Sequence, residues 1–121
     1  MSDVTSAVPG LAWLKQNYPD LYGGYSQMIK GLRADLAFDE KTLQLHTLSV
    51  LTARQLSRGV GIHVRYAREA GATDEEILSS IAVCFATCGI GPTVEALESA
   101  LPALQALPDG PQQAGGQHDA R

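Results

Sequence analysis

The sequence predicts an all-α protein, a compact bundle of about six helices, on three observations. Apolar residues recur at three- and four-residue intervals along most of the chain, the period of a helix with one buried face. No segment alternates with period two for long enough to make a strand. Proline, glycine and capping residues punctuate the periodic stretches at helix-length spacing.

Pro9 to Leu36 carries Leu11, Trp13, Leu14, Tyr18, Leu21, Tyr22, Tyr25, Met28, Ile29 and Leu32, most of them three or four apart. A proline has no N–H to give and crowds the preceding turn, so Pro19 divides this stretch into a short helix and a longer one. The pair Gly23-Gly24 lowers helix propensity in the second by about 1 kcal/mol per residue relative to Ala. Asp39 is the expected N-cap of the third helix, and Glu40 sits favourably at the positive end of its dipole. Leu43, Leu45, Leu48, Val50, Leu51 and Leu56 carry that helix to about Ser57. Gly59 and Gly61 predict a break over Arg58–Gly61. Helix resumes over Ile62–Ala70 and ends at Gly71, placed as a C′ glycine.

Thr73-Asp74-Glu75-Glu76 has the form of a capping box with acidic residues in the first turn. Behind it Ile77, Ile81, Phe85 and Cys88 repeat at helical spacing, joined by Cys84 on a neighbouring row. Gly89-Ile90-Gly91 ends that helix, and Pro92 suits the first position of the last one. The last helix carries Val94, Leu97, Leu101 and Leu104, with Pro102 expected to kink or shorten it. Pro108 to Arg121 is rich in Gly, Pro and Gln and has little to bury, so a disordered tail is expected over 108–121 and a single domain over 1–107.

Nine Lys and Arg against thirteen Asp and Glu leave a net charge of −4, which argues against nucleic acid or an anionic membrane as partner. The longest apolar run, Ile81–Ala86, is far short of the ~20 residues of a membrane helix. Met1-Ser2-Asp3 does not begin a secretory signal, so a cytoplasmic protein is expected. Nearly every helix carries an apolar stripe, and 121 residues leave much surface for little volume. A homo-oligomer in which some of these faces meet is the consequence.

Few residues offer chemistry. Cys84 and Cys88 are too few for a disulfide framework or a structural zinc, and read as small, reduced hydrophobes on one helix face. Three scattered histidines without a carboxylate cluster make a poor metal site, so none is expected. There is no GxGxxG, P-loop, HExxH or GxSxG motif. His118 lies in the tail, and His46, two residues from Gln44, faces either the core edge or solvent. His63 follows the Gly59-Val60-Gly61 break, which would place it near the first turn of a helix. There the dipole favours a neutral imidazole suited to general acid–base work. The competing reading of His63 is a structural imidazole satisfied by a backbone carbonyl.

The run Phe38-Asp39-Glu40-Lys41-Thr42, the leucine-rich helix behind it, and His63-Val64-Arg65-Tyr66-Ala67-Arg68-Glu69-Ala70-Gly71-Ala72-Thr73-Asp74-Glu75-Glu76-Ile77 together carry a resemblance. They resemble the "L-D-x-K-T-R-E-L" and "H-x-R-x-A-x-x-x-G-A-T-x-x-E-I" patterns of the carboxymuconolactone decarboxylase family, which includes the alkylhydroperoxidase D-like proteins. Ala86-Thr87-Cys88-Gly89-Ile90-Gly91-Pro92 is similar to the "Y-C-G-V-P" stretch of the decarboxylase branch. The likeness covers about residues 36–104. It implies an all-α fold and a homotrimer or homohexamer.

The departures bear on activity. Peroxidase-type members carry C-x-x-C with three residues between it and the histidine; Leu56 and Gly59 hold those places, and Gln44 replaces the relay glutamate. A thiol peroxidase needs a thiolate and a resolving thiol, so peroxidase activity is the least favoured reading. The decarboxylase branch does not use that motif, although Gly59 stands where it usually has an acidic residue. For that branch the resemblance implies a carboxylated, unsaturated lactone that carries its own electron sink, and hence no cofactor. His63 is then the proton donor or acceptor. Arg65 or Arg58 would hold the carboxylate or enolate, because a guanidinium matches a planar oxyanion, with Gln44 and His46 as further substrate-binding candidates. Two functions follow: a cofactor-independent lyase or isomerase of small carboxylated lactones or keto acids, or a non-catalytic oligomeric binding or structural protein with a decayed site.

Overall fold

A computed structural model describes residues 8–111, and among them every regular element is helical. The helices are α1 (Pro9–Asn17), α2 (Pro19–Asp35), α3 (Glu40–Ala53), α4 (Ser57–Glu69), α5 (Asp74–Ala82), a single turn α6 (Phe85–Cys88) and α7 (Ile90–Gln105). The protein is all-α, as the apolar periodicity requires. None of these helices is long and apolar enough to cross a membrane. His118, and residues 112–121 of the segment read as a tail, lie outside the described residues.

The chain divides into two units, Met1–Asp39 and Glu40–Arg121. In the first, α1 and α2 each begin with a proline, whose missing N–H is no loss in a first turn. Tyr18 joins them, its N–H bonded to Leu14 O at 2.8 Å and its own carbonyl taking the Tyr22 N–H at 2.9 Å. Trp13 meets Tyr18 edge to face at 5.3 Å. Neither helix buries a residue.

In the second unit α4 packs on α3 and α7, and α5 closes on α3, α4 and α7. Leu48, Val60, Val64, Ala67, Ala72, Ile77, Ile81, Ala96, Ala100 and Leu104 form the core. At Ala96 and Ala100, one turn apart, only a methyl group stands between the α7 backbone and its neighbours.

The break before α4 differs from the glycine-based expectation. It falls at Arg54–Leu56, and Gly59 and Gly61 lie inside the helix. Helix α3 ends in a Schellman motif: Leu56 N–H bonds Leu51 O at 2.9 Å and Gln55 N–H bonds Thr52 O at 3.1 Å, with Gln55 left-handed at φ 58°. The two glycines serve packing instead. A Cβ on Gly59 would lie 3.3 Å from both Leu51 methyls of α3, and one on Gly61 3.9 Å from the Ala103 methyl of α7.

Other boundaries hold by their expected chemistry. Helix α4 closes in a second Schellman motif, with Gly71 at φ 100° and Ala72 N–H on Ala67 O at 2.9 Å. Thr73 and Glu76 form the reciprocal capping box of α5, and Lys41 of α3 reaches Glu76 Oε2 at 2.9 Å.

The helix expected to run through to Cys88 is interrupted after Ala82. Cys84 N–H turns to Ile81 O, while the Ser80 carbonyl takes the Ser49 hydroxyl of α3 at 2.5 Å. Gly89, at φ 88°, caps α7, so Pro92 is its third residue rather than its first. Pro102 lies within α7, which continues to Gln105. The last described residues lie beside α4: Arg68 Nη1 donates to Pro108 O, and Nη2 pairs with Asp74.

Candidate active site

Helices α3 and α4 bring together two of the residues marked by the sequence. Gln44 is in the second turn of α3 and 3% exposed. His63 is the seventh residue of α4, partly buried, nineteen positions along the chain. Its Nδ1 lies 2.7 Å from Gln44 Oε1. Gln44 Nε2 in turn donates to Glu40 Oε2 at 2.7 Å, one turn earlier on α3. An imidazole, a buried amide and a carboxylate therefore form one hydrogen-bonded chain.

The start of α4 at Ser57 changes the electrostatic argument for His63. A helix dipole acts within the first turn, and His63 is beyond it, so its environment is set by Gln44 rather than by the helix end. At Nδ1 the partner is a side chain, that of Gln44.

The chain of donors has a direction. A carboxylate only accepts, so Glu40 takes the amide N–H of Gln44 and turns the amide oxygen toward His63. That oxygen also only accepts, so the ring hydrogen of a neutral His63 belongs on Nδ1. Nε2 then holds the lone pair of the neutral ring and the second proton of the cation. The His63 ring meets Tyr66 edge to face at 5.7 Å, and Tyr66 is itself buried. Tyr66 was not singled out in the sequence; its place one turn beyond His63 was the available signal.

The other candidates lie elsewhere on the helices. Two residues along α4 carry Arg65 roughly 160° around the axis from His63, and five carry Arg58 roughly 140°. Arg65 Nε is 3.9 Å from Glu69 Oε2, and its guanidinium lies 5.6 Å from the Tyr66 ring centre. Arg58 is exposed. His46 is exposed on α3, its Nδ1 2.9 Å from Thr42 O. Neither arginine shares the His63 face of α4.

Thiol chemistry finds little support at this site. Leu56 is half exposed, and the position a side chain at 59 would take is bounded by Leu51. Cys84 is buried where its Sγ meets Ser49 O at 3.3 Å. Burial first, and then the neighbouring Cys88, push the Cys84 thiol above its ordinary range, the opposite of an activated thiolate. Among the described residues no group of three or more His, Cys, Asp or Glu could hold a metal ion.

No curated protein and no solved structure matches the chain. One family does: its sequence model covers residues 19–104, from the first turn of α2 to the end of the α7 core, including Gln44 and His63. The chain belongs to the carboxymuconolactone decarboxylase family.

Proposed function

We propose that the protein is a cofactor-independent lyase or isomerase of small carboxylated lactones or keto acids, with His63 as proton donor and acceptor. The observation that carries this reading is the 2.7 Å contact between His63 Nδ1 and Gln44 Oε1, which directs Nε2 to the proton-transfer role. In a decarboxylation the bond to the carboxylate carbon breaks. Its electron pair moves through the conjugated alkene into the lactone carbonyl, and carbon dioxide leaves. The protonated imidazole then delivers its Nε2 hydrogen to carbon as the enolate collapses, and water restores the proton. An isomerase would use the same nitrogen to take a proton from one carbon and return it to another.

Gln44 differs from a glutamate in this role. A neutral amide orients the ring through its oxygen without placing a full negative charge against it. Residues that bind the substrate carboxylate are proposed to come from beyond the His63 face of α4. A homotrimer or homohexamer would bring further surface to the site. Val50, Val83, Phe85 and Ile90, all more than half exposed in the single chain, support such an assembly.

The test is a panel of unsaturated lactone acids, followed by binding and carbon dioxide release, with sedimentation to give the assembly. Release that disappears in His63→Gln, with the fold retained, is the expected result. Binding and release absent across the panel would move the reading to a non-catalytic oligomeric protein. The Leu51 side chain against Gly59, where the peroxidase branch has a thiol, favours that second reading.

A further inference from the structure

Glu40 has no place in the reaction outlined above, yet it decides which nitrogen of His63 can take part. Glutamine at position 44 is ambivalent by itself. Turned one way it offers oxygen to His63 Nδ1, and turned the other way it offers an N–H, which would stabilise the opposite tautomer. At 3% exposure little water reaches the amide to support either orientation, so its protein neighbours choose. The neighbour at its other end is Glu40, 2.7 Å from Nε2 and four residues earlier, the spacing that stacks side chains on a helix. A carboxylate there accepts the amide hydrogen and penalises the reversed amide with two facing acceptors.

We propose that Glu40 is a positioning residue: through Gln44 it locks His63 in the Nδ1–H tautomer and so assigns the reactive lone pair to Nε2. The inference rests on the reading of His63 as the proton-transfer residue, but its test does not require turnover. The Glu40–Gln44 pair divides between two residues what one glutamate beside the histidine would do. The carboxylate supplies direction, and the amide keeps the full charge one residue away from the ring.

The experiment is a long-range proton–nitrogen correlation spectrum of the nitrogen-labelled full chain, at a pH where the ring is neutral. His63 is assigned by the loss of its signals in His63→Gln. The wild type is expected in the Nδ1–H form. In Glu40→Gln the ratio of Nδ1–H to Nε2–H falls about tenfold, the order of one hydrogen bond to a charged group. Glu40→Gln combined with Gln44→Glu puts the carboxylate directly beside the ring and restores the Nδ1–H form, a rescue that general loss of packing would not produce. A wild-type ring in the Nε2–H form overturns the proposal even if no variant folds. An unchanged ratio in Glu40→Gln, or no rescue in the double variant, overturns it equally. Absence of lyase activity with the predicted tautomers overturns the proposed function and leaves the role of Glu40 standing.

Discussion

The turn that sets the start of α4 rests on a residue ill suited to it. Gln55 is at φ 58° in the Schellman motif that ends α3, a conformation that costs an L-residue with a Cβ roughly 1–2 kcal/mol. Glycine removes that cost, but loses about 0.5–1 kcal/mol through the greater freedom of its unfolded chain. The side chain of Gln55 is exposed, so packing adds little to either side. Gln55→Gly should therefore stabilise the protein by about 0.5–1 kcal/mol, or about 2–8 °C in Tm for a domain of this size. Urea unfolding at constant slope is the assay, since a changed slope would signal an altered unfolded state. Gln55→Ala keeps the strained φ and should stay close to the wild type, whereas Gln55→Val, β-branched at positive φ, should fall below it. A glycine variant no more stable than the alanine variant would refute the argument that the left-handed residue carries strain.

Three further outcomes follow from the same structure. Gly61→Ala should gain up to about 1 kcal/mol of helix propensity, because its Cβ meets Ala103 only at 3.9 Å; Gly59→Ala, 3.3 Å from two Leu51 methyls, should lose most of that gain. Equal stability of the two variants in urea would show that Leu51 yields freely. Thr73→Ala should cost about 1 kcal/mol through the α5 cap. The Glu76 carboxyl is held below its usual 4.5, chiefly by the Thr73 backbone N–H and then by Lys41. Its folded value is thus below its unfolded one, so its contribution is complete above about pH 4.5 and is lost as pH falls through the depressed value. Stability measured between about pH 5 and pH 3 should consequently fall less steeply in Glu76→Gln. Finally, a maleimide probe should label Cys88 at least about tenfold faster than Cys84, which is buried and whose thiol is pushed up; comparable rates would mean that the α6 turn opens readily.

Local signals were legible where one segment satisfies its own backbone. Thr73 and Glu76 close their capping box within four residues, and Gly71 and Ala72 end α4 with N–H bonds to the Arg68 and Ala67 carbonyls, so each could be recognised without knowing what packs nearby. The break before α4 was misplaced because glycine has two uses. At Gly71 and Gly89 it supplies positive φ, whereas at Gly59 and Gly61 it supplies closeness to α3 and α7. Spacing along one chain does not distinguish them. The end of α5 was missed for a similar reason: the Ser80 carbonyl leaves its helix for a hydroxyl thirty-one residues away.

The site divides in the same way. His63 stood out by residue type and setting, and Gln44 by its place in a family pattern. That the two touch depends on α3 and α4 packing at a register set by Gln55, Gly59 and Leu51. The role of Glu40 required that contact first, since its carboxylate means nothing for His63 until Gln44 links them. The sequence by itself determined the all-α class, the caps, the family and the residue types available for proton transfer, because these rest on local periodicity and motif. Only the tertiary structure decided that His63 meets Gln44 and, through it, Glu40, and on which faces Arg58, Arg65 and His46 lie. Hydrogen-bond direction and burial belong to pairs of helices, and no single segment encodes them.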